Sequence, residues 1–171
     1  MIVRRQNESG ATLGQIEAVY RRDYVRFRQA AVAIVGDRDS GTDAVQDAFA
    51  VAVRSRAGFR GDAPLEAWLW RIVVNTARTR RRELVTRRAA DQRAAALALR
   101  NGHELGGEPE ALRALVADLP ERQRLALFLR YYADLDYATI AQALDVRQGT
   151  VAATLNAAHR ALRQALEEVH P

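Results

Sequence analysis

The sequence contains no cysteine and no lysine, so each of its 26 basic residues is an arginine. Without cysteine the chain can form neither a disulfide nor a thiolate zinc site, which is typical of proteins from a reducing cytoplasm. It also lacks any run of about 18 apolar residues, so we expect no membrane insertion. The N-terminal segment has no apolar stretch of the kind that a signal peptide requires. These absences predict a cytoplasmic protein.

Positive charge, by contrast, is abundant: the formal net charge is +5 and the isoelectric point is about 10.3. The planar guanidinium group of arginine presents a fork of donors that suits phosphates and guanine edges. A basic excess therefore predicts a polyanionic partner, of which nucleic acid is the usual one. Coding bias that replaces lysine by arginine is a second explanation for part of this pattern.

Residues 119–166 have the pattern of a helix-turn-helix. A short helix is expected after Asp136, whose side chain suits an N-cap, and residues 145–149 form a polar break. The last helix, expected from Thr150, carries one apolar face that consists of Val151, Leu155, Ala158 and Leu162. In this motif the exposed side of the second helix enters the major groove of DNA. An ordinary helical hairpin is the alternative.

The first part of the chain predicts two helices, at residues 12–35 and 43–56, with a loop at residues 36–41. Ser40 or Thr42 is expected to cap the second helix. The buried face of that helix is predicted to consist of Val45, Ala48, Phe49, Ala52 and Val53. Two carboxylates, four residues apart, lie on its other face together with Ala50 and Arg54: Asp43 and Asp47. This face is a solvated surface, a weak metal site or a docking surface for another protein.

A third helix is predicted over residues 65–83, because Pro64 suits the first turn of a helix and Gly61 permits the turn before it. Its apolar face consists of Leu65, Leu69, Ile72, Val73 and Thr76, and a polar face consists of Arg71, Asn75, Arg78 and Arg82. Trp68 and Trp70 lie on opposite flanks. Aromatic rings beside arginine suit single-stranded nucleic acid, since a base stacked on a ring contributes roughly 1–3 kcal/mol. The alternative is that both Trp side chains belong to the core.

Beyond this helix the arginine-rich run continues through residues 78–93, and a glycine-containing polar stretch at residues 101–109 indicates a linker. We therefore expect a domain boundary near residues 100–108. The sequence contains no Gly-rich phosphate loop, zinc-ligand spacing or nucleophile elbow, and its three His residues are scattered. We accordingly expect no enzymatic activity, no catalytic residue, no metal and no cofactor.

Four segments, in order, resemble an extracytoplasmic-function (ECF, group IV) sigma factor of bacterial RNA polymerase, a class of the sigma-70 family. TDAVQDAF (residues 42–49) is similar to the acidic segment of region 2, and FRGDAPLEAWLWRIVVNTAR (residues 59–78) to the segment that follows it. LPERQRLALFLRYYADLDYATIAQAL (residues 119–144) and GTVAATLNAAHRALR (residues 149–163) are similar to region 4. The resemblance covers nearly the whole chain, and its specificity comes from the order of the four motifs.

The resemblance implies an all-α fold with two small helical domains. A region 2 bundle would span residues 12–88, a flexible linker residues 89–108, and a region 4 helix-turn-helix domain residues 109–169. The implied function is that of a sigma factor, which binds core RNA polymerase at its clamp helices and flap, recognises −10 and −35 promoter elements and assists promoter melting. Many relatives are held inactive by an anti-sigma factor, and a flexible linker is compatible with that partner.

The site residues that the resemblance implies fall into three groups. The polymerase-binding group consists of Asp43, Gln46, Asp47 and Arg54. The −10 group, whose loop at residues 59–63 would capture a flipped base, consists of Phe59, Arg60, Gly61, Asp62, Ala63, Trp68, Arg71, Asn75, Arg78 and Arg82. The −35 group consists of Arg147, Gln148, Thr150, Asn156 and Arg160.

The recognition helix departs from the family pattern. Where relatives commonly carry basic or bulky polar residues, this chain has Ala152, Ala153, Thr154, Asn156 and Ala157. Because small side chains do not reach guanine edges, we expect the −35 element to be read mainly through phosphate contacts and DNA shape. The family's usual Glu near the start of the short helix is also absent, with Ala138 and Thr139 in its place. This absence weakens the implied second phosphate or flap contact.

Two other classes of protein fit parts of the sequence. A stand-alone helix-turn-helix regulator would bind duplex DNA without polymerase, but it leaves the Trp and Arg residues of the third helix unexplained. A module that only titrates another protein would tolerate Asp47→Arg without any effect on transcription.

Overall fold

The computed structural model describes residues 10–94, 115–116 and 118–169, which form six α-helices and one short 3-10 helix, with no β-strand among them. The helices are α1 (Leu13–Val35), α2 (Arg38–Ser55), α3 (Leu65–Ala94), α4 (Glu121–Tyr131), α5 (Tyr137–Leu144) and α6 (Gln148–Val169); the 3-10 helix, Arg56–Gly58, follows α2. We call α1–α3 the first domain and α4–α6 the second domain. The predicted all-α fold of two small helical domains is confirmed. In the part of the chain that is described, no helix combines the length and the apolar character needed to cross a bilayer.

α1 spans the range that its sequence predicts, because both of its ends carry strong local signals. At the start, Thr12 and Gln15 form a capping box: the backbone N–H of Gln15 donates to Oγ1 of Thr12 at 3.2 Å, and that of Thr12 donates to Oε1 of Gln15 at 2.9 Å. At the end, Gly36 adopts a left-handed conformation with φ of 89° and donates to the carbonyl of Val32.

α2 begins earlier than predicted, so most of the predicted loop at residues 36–41 is helical. The N-cap is Asp37, whose Oδ2 accepts a hydrogen bond from the backbone N–H of Ser40 at 2.8 Å, and neither predicted cap has that role. Gly41 lies inside the helix because α1 and α2 come very close there. A Cβ at Gly41 would be 2.7 Å from Cα of Val32. The glycine that suggested a loop therefore permits close helix packing instead.

The core of the first domain is built around α3. Trp70 is only 1% exposed, and its ring centroid lies 4.4 Å from that of Phe27. Phe27 in turn packs edge-on against Phe49 of α2 at 5.2 Å. Trp70 therefore belongs to the core. Val53, which was predicted to be buried, is 36% exposed, because it lies beside the buried stripe of α2 that Ala44, Ala48 and Ala52 define.

α3 is longer than predicted: it runs to Ala94 instead of ending at residue 83. The chain therefore stays helical through the described part of the arginine-rich run. The predicted linker, residues 89–108, falls mostly outside the described residues.

The second domain has the predicted helix-turn-helix. Oδ1 of Asp136 accepts a hydrogen bond from the backbone N–H of Thr139 at 2.7 Å, which confirms Asp136 as the N-cap of α5. This hydrogen bond holds the pKa of Asp136 below its ordinary value. Asp145, the C-cap of α5, has a left-handed φ of 55°. α6 begins at Gln148, two residues before the predicted start, and buries the predicted face of Val151, Leu155 and Ala158.

The two domains are packed against each other. α5 lies against α3, α4 also touches α1, and the buried apolar residues of both domains form one contiguous cluster. This packing places the polar face of α3 beside the turn of the helix-turn-helix.

Candidate polymerase and nucleic-acid interfaces

The predicted polymerase-binding group lies on one exposed face of α2. The buried alanine stripe of this helix turns its other side outward, so Asp43, Gln46, Asp47 and Arg54 are all exposed. The structure thus brings all four predicted residues together on a surface that is open to a protein partner.

Arg80 on α3 connects this face to the next helix. Its Nη2 lies 3.0 Å from Oδ2 of Asp43, and its Nη1 lies 3.8 Å from Oδ2 of Asp47. A guanidinium group therefore stands between the two carboxylates where a metal ion would have to bind. Within the described ranges, no group of three or more His, Asp and Glu residues is placed to hold a metal ion. The role of Arg80 could not be predicted from the sequence, because its partners lie 33 or more positions earlier in the chain.

The loop before α3 presents a mixed surface. Arg60, Gly61 and Asp62 are exposed, whereas Phe59 and Ala63 are half-buried. Gly61 has a φ of 73°, a left-handed conformation that a residue with a Cβ rarely adopts. The backbone conformation of this loop therefore favours glycine at position 61.

The two Trp residues of α3 have different environments. Trp68 is half-buried and lies against Phe59, with ring centroids 5.4 Å apart, whereas Trp70 is in the core. One aromatic pair, Phe59 and Trp68, therefore stands at the surface beside the loop. This arrangement combines the two alternatives of the sequence analysis, one for each Trp.

The polar residues of α3 lie on one stripe, as predicted, and much of that stripe faces the second domain. Arg71, Asn75 and Arg82 are exposed and Arg78 is half-buried. Nη2 of Arg71 lies 3.2 Å from Oδ1 of Asp145, at the end of α5.

Glu121, at the start of α4, is held between two arginines of α3. Nε of Arg78 donates to Oε1 of Glu121 at 3.1 Å, and Nη1 of Arg81 lies 3.8 Å from Oε2 of the same carboxylate. Arg124 belongs to the same group: burial lowers its pKa, the charge of Arg81 lowers it further, and Glu121 acts in the opposite direction. A concentration of positive charge therefore surrounds this single carboxylate. The predicted −10 group does not include Arg81, which is next to Arg82 and lies three positions after Arg78.

The predicted −35 group lies on the turn and the outer face of α6. Arg147, Gln148, Asn156 and Arg160 are exposed, and Thr150 is half-buried. The hydroxyl of Thr154, which lies between these residues in the sequence, donates to the backbone carbonyl of Thr150 at 2.7 Å. The hydrogen of this hydroxyl is therefore engaged within the helix.

Arg163, which the sequence analysis missed, is also exposed and lies three residues after Arg160. Helical spacing alone could have identified it. The outer face of α6 thus carries arginines toward its C-terminal half and small side chains near its start.

Comparison with known proteins matches both domains. The family models for Sigma-70 region 2 and Sigma-70 region 4 match residues 19–87 and 110–167. The chain is 33% identical to the RNA polymerase sigma-H factor of Pseudomonas aeruginosa over 153 residues, which cover 80% of this chain and 78% of that protein. It is 36% identical to the ECF RNA polymerase sigma-E factor of Escherichia coli K12 over 138 residues, which cover 70% of each chain.

Solved structures share the fold. The structure of CnrH in complex with the cytosolic domain of CnrY is similar with a TM-score of 0.67 and 24% identity, covering 94% of this chain and 92% of that chain. The sigma factor RpoE of Bartonella quintana, in complex with the anti-sigma factor NepR, is similar with a TM-score of 0.62 and 18% identity, covering 88% and 98%.

The two matched regions contain all three predicted site groups. The polymerase-binding and −10 groups lie within the region 2 match, and the −35 group lies within the region 4 match. The chain therefore belongs to the sigma-70 family, as a sigma factor of the extracytoplasmic-function class, and its function is to bind core RNA polymerase and initiate transcription.

Proposed function

We propose that this sigma factor is a non-catalytic initiation factor of the cytoplasm whose two domains divide promoter recognition between them. Residues 12–88 dock on the polymerase clamp helices and read the −10 element, residues 109–169 bind the −35 duplex and the polymerase flap, and residues 89–108 link them. The observation that supports the double role of the first domain, in polymerase docking and in −10 reading, is the ion pairing of Arg80, which joins the acidic face of α2 to α3. A shallow cleft lined by Asp47, Asn75 and Arg80 connects the two faces. Polymerase docking and strand capture therefore use adjoining surfaces.

The −10 chemistry depends on the aromatic pair and on the arginines of α3. Extruding a base from the duplex costs a few kcal/mol of stacking and pairing energy. Phe59 and Trp68 supply a ring surface beside the loop, and a base stacked there recovers roughly 1–3 kcal/mol. Guanidinium groups along α3 then hold the phosphates on either side, with Arg71 nearest to the loop. Promoter melting would thus require no nucleotide hydrolysis by this protein.

The −35 chemistry of α6 is simpler. Ala153 is exposed where a base-reading side chain would be useful, and Asn156 is the exposed amide nearest to it. We assign Arg147, Arg160 and Arg163 to DNA phosphates, because an extended arginine reaches the backbone on either side of a groove. Sequence preference at −35 would then come largely from DNA shape.

An anti-sigma factor is a further proposed partner. Support comes from the similar fold of RpoE, whose structure was determined with the anti-sigma factor NepR.

The experiment that tests this function is run-off transcription on genomic DNA with core polymerase from the same organism, with and without the protein. We expect promoter-dependent transcripts and comigration with core polymerase during gel filtration. Asp47→Arg should abolish both, because it places an arginine beside Arg80 on the docking face. Glu17→Arg is the matched control: Glu17 is an exposed carboxylate on α1, and its reversal should leave both readouts unchanged. Specific duplex binding by the protein alone, without comigration or transcripts, would indicate a stand-alone regulator instead.

A further inference from the structure

The second domain covers part of the face of α3 that we assign to the −10 strand. α5 packs on α3, and a cleft between them is lined by Trp68 and Arg71 from the first domain and by Gln142 and Arg147 from the second. Ala67, one position before Trp68, is fully buried. In this closed arrangement a DNA strand cannot lie along the part of α3 that α5 covers.

The contacts across the domains use the chemistry that DNA would use. Both oxygens of the Glu121 carboxylate are engaged, one by Arg78 at 3.1 Å and the other by Arg81 at 3.8 Å. Guanidinium groups bind the oxygens of a phosphate with the same donor geometry that they use for a carboxylate. Asp145 presents a second carboxylate to Arg71 at 3.2 Å.

The same contacts engage the second domain's own DNA-binding turn. Asp145 is the C-cap of α5, and Arg147, which belongs to the −35 group, lines the cleft two residues later. The closed arrangement therefore occupies residues of the −10 face and of the −35 turn at once.

The polar contacts across the domains add little to the stability of the closed arrangement. Arg71 and Asp145 are at least half exposed, and exposed ion pairs contribute little to stability. Oε1 of Gln142 is buried at the cleft without a hydrogen-bond donor among the described residues, which opposes closure. A nucleic acid that offers several phosphates can therefore compete with two carboxylates.

We propose that Glu121 and Asp145 act as intramolecular phosphate mimics, which hold the second domain over an anion site formed by Arg71, Arg78 and Arg81 until nucleic acid replaces them. Arg81 thereby becomes a further nucleic-acid contact. This inference rests on the proposed function, because it takes the face of α3 as the −10 surface. It predicts that the closed and the DNA-bound states exclude each other, so that the apparent affinity for DNA is reduced by the fraction of closed molecules.

The test uses the full chain and measures domain opening and DNA binding separately. Because the protein has no native cysteine, Ala18→Cys and Gln164→Cys provide specific sites for a fluorescence energy-transfer pair on α1 and α6. The DNA probe is a single-stranded 20-mer of random sequence with an environment-sensitive dye. The test variant is Glu121→Gln/Asp145→Asn, in which Asn tolerates the left-handed conformation of position 145. The control, Glu17→Gln/Glu167→Gln, removes the same charge from exposed sites outside the domain contact.

We expect the test variant to show lower energy transfer than the wild type and to bind the 20-mer about three- to tenfold more tightly, whereas the control should match the wild type within about twofold. Adding the 20-mer to the wild type should also lower energy transfer. Energy transfer that neither the substitutions nor DNA change would overturn the inference, while run-off transcription would still support the proposed function. A test variant that opens but binds DNA no better than the control would also overturn it. Loss of transcription with Asp47→Arg tests the proposed function independently of both readouts.

Discussion

The two faces that this protein offers to DNA are made of opposite kinds of side chain. α3 carries a half-buried Trp and long arginines, whereas the outer side of α6 begins with small residues such as Ala153. Long charged side chains can stack on bases and bind phosphates, and in this structure Arg71 and Arg78 are paired with Asp145 and Glu121. The outer side of α6 needs no such partner for its alanines. The chemically richer recognition surface is thus also the one that the second domain partly covers in this structure.

The largest effect should separate the two Trp residues of α3. Trp70→Ala removes a fully buried ring from the core, and we expect the free energy of unfolding of the first domain to fall by about 3–5 kcal/mol. Trp68→Ala should cost much less, because its ring is already partly in water. Urea unfolding followed by circular dichroism measures both variants without relying on Trp fluorescence. A larger loss in Trp68→Ala would mean that the surface pair with Phe59 is structural.

The next effect concerns promoter opening. Trp68→Ala should weaken open-complex formation by roughly 5- to 150-fold, which corresponds to the 1–3 kcal/mol of one stacked base. Trp68→Phe keeps a ring and should recover part of the activity. Permanganate footprinting of the −10 region on a responsive promoter measures the opening. If Trp68→Phe is as defective as Trp68→Ala, stacking is not the role of this residue.

The third prediction concerns the pH dependence of the second domain. The pKa of Asp136 lies below its ordinary value because the carboxylate accepts the N–H of Thr139. The charged cap therefore stabilises α5 at neutral pH, and this contribution is lost as the pH falls below about 4, the range in which an ordinary Asp takes up its proton. Asp136→Ala should cost about 1 kcal/mol at pH 7.

The control for this cap is Asp136→Asn, which keeps a good N-cap residue but removes the titrating group. Thermal unfolding between pH 3 and 7 should show a smaller acid destabilisation in Asp136→Asn than in the wild type. Identical pH profiles for the two proteins would contradict the assigned charge effect.

The smallest effect is expected on the outer face of α6. Arg160→Ala should weaken binding to all −35 sequences about equally and reduce the salt dependence of binding by about one phosphate contact. Asn156→Ala should change the preference between −35 bases by less than about 1 kcal/mol, below the 1–3 kcal/mol of a good base contact. A series of −35 substitutions, tested with holoenzyme, measures both. Large base-specific losses that disappear in Asn156→Ala would show that α6 reads bases directly.

Much of the site could be predicted because helical spacing assigns residues to faces. Asp43 and Asp47 appear together on α2, and Arg71, Asn75 and Arg78 lie on one stripe of α3, as the spacing indicated. Arg80 could not be assigned, because its importance comes from carboxylates on another helix.

What the sequence by itself determined was the set of helices, most of their ends and the order of the family motifs. Asp136 marked a helix start because a cap is a contact between residues three positions apart. The tertiary structure decided which Trp is buried, why Gly41 lies inside a helix and what covers α3. These outcomes depend on contacts between distant parts of the chain, such as Arg78 with Glu121, 43 positions later. No local pattern encodes such a contact, because it forms only when whole helices have packed.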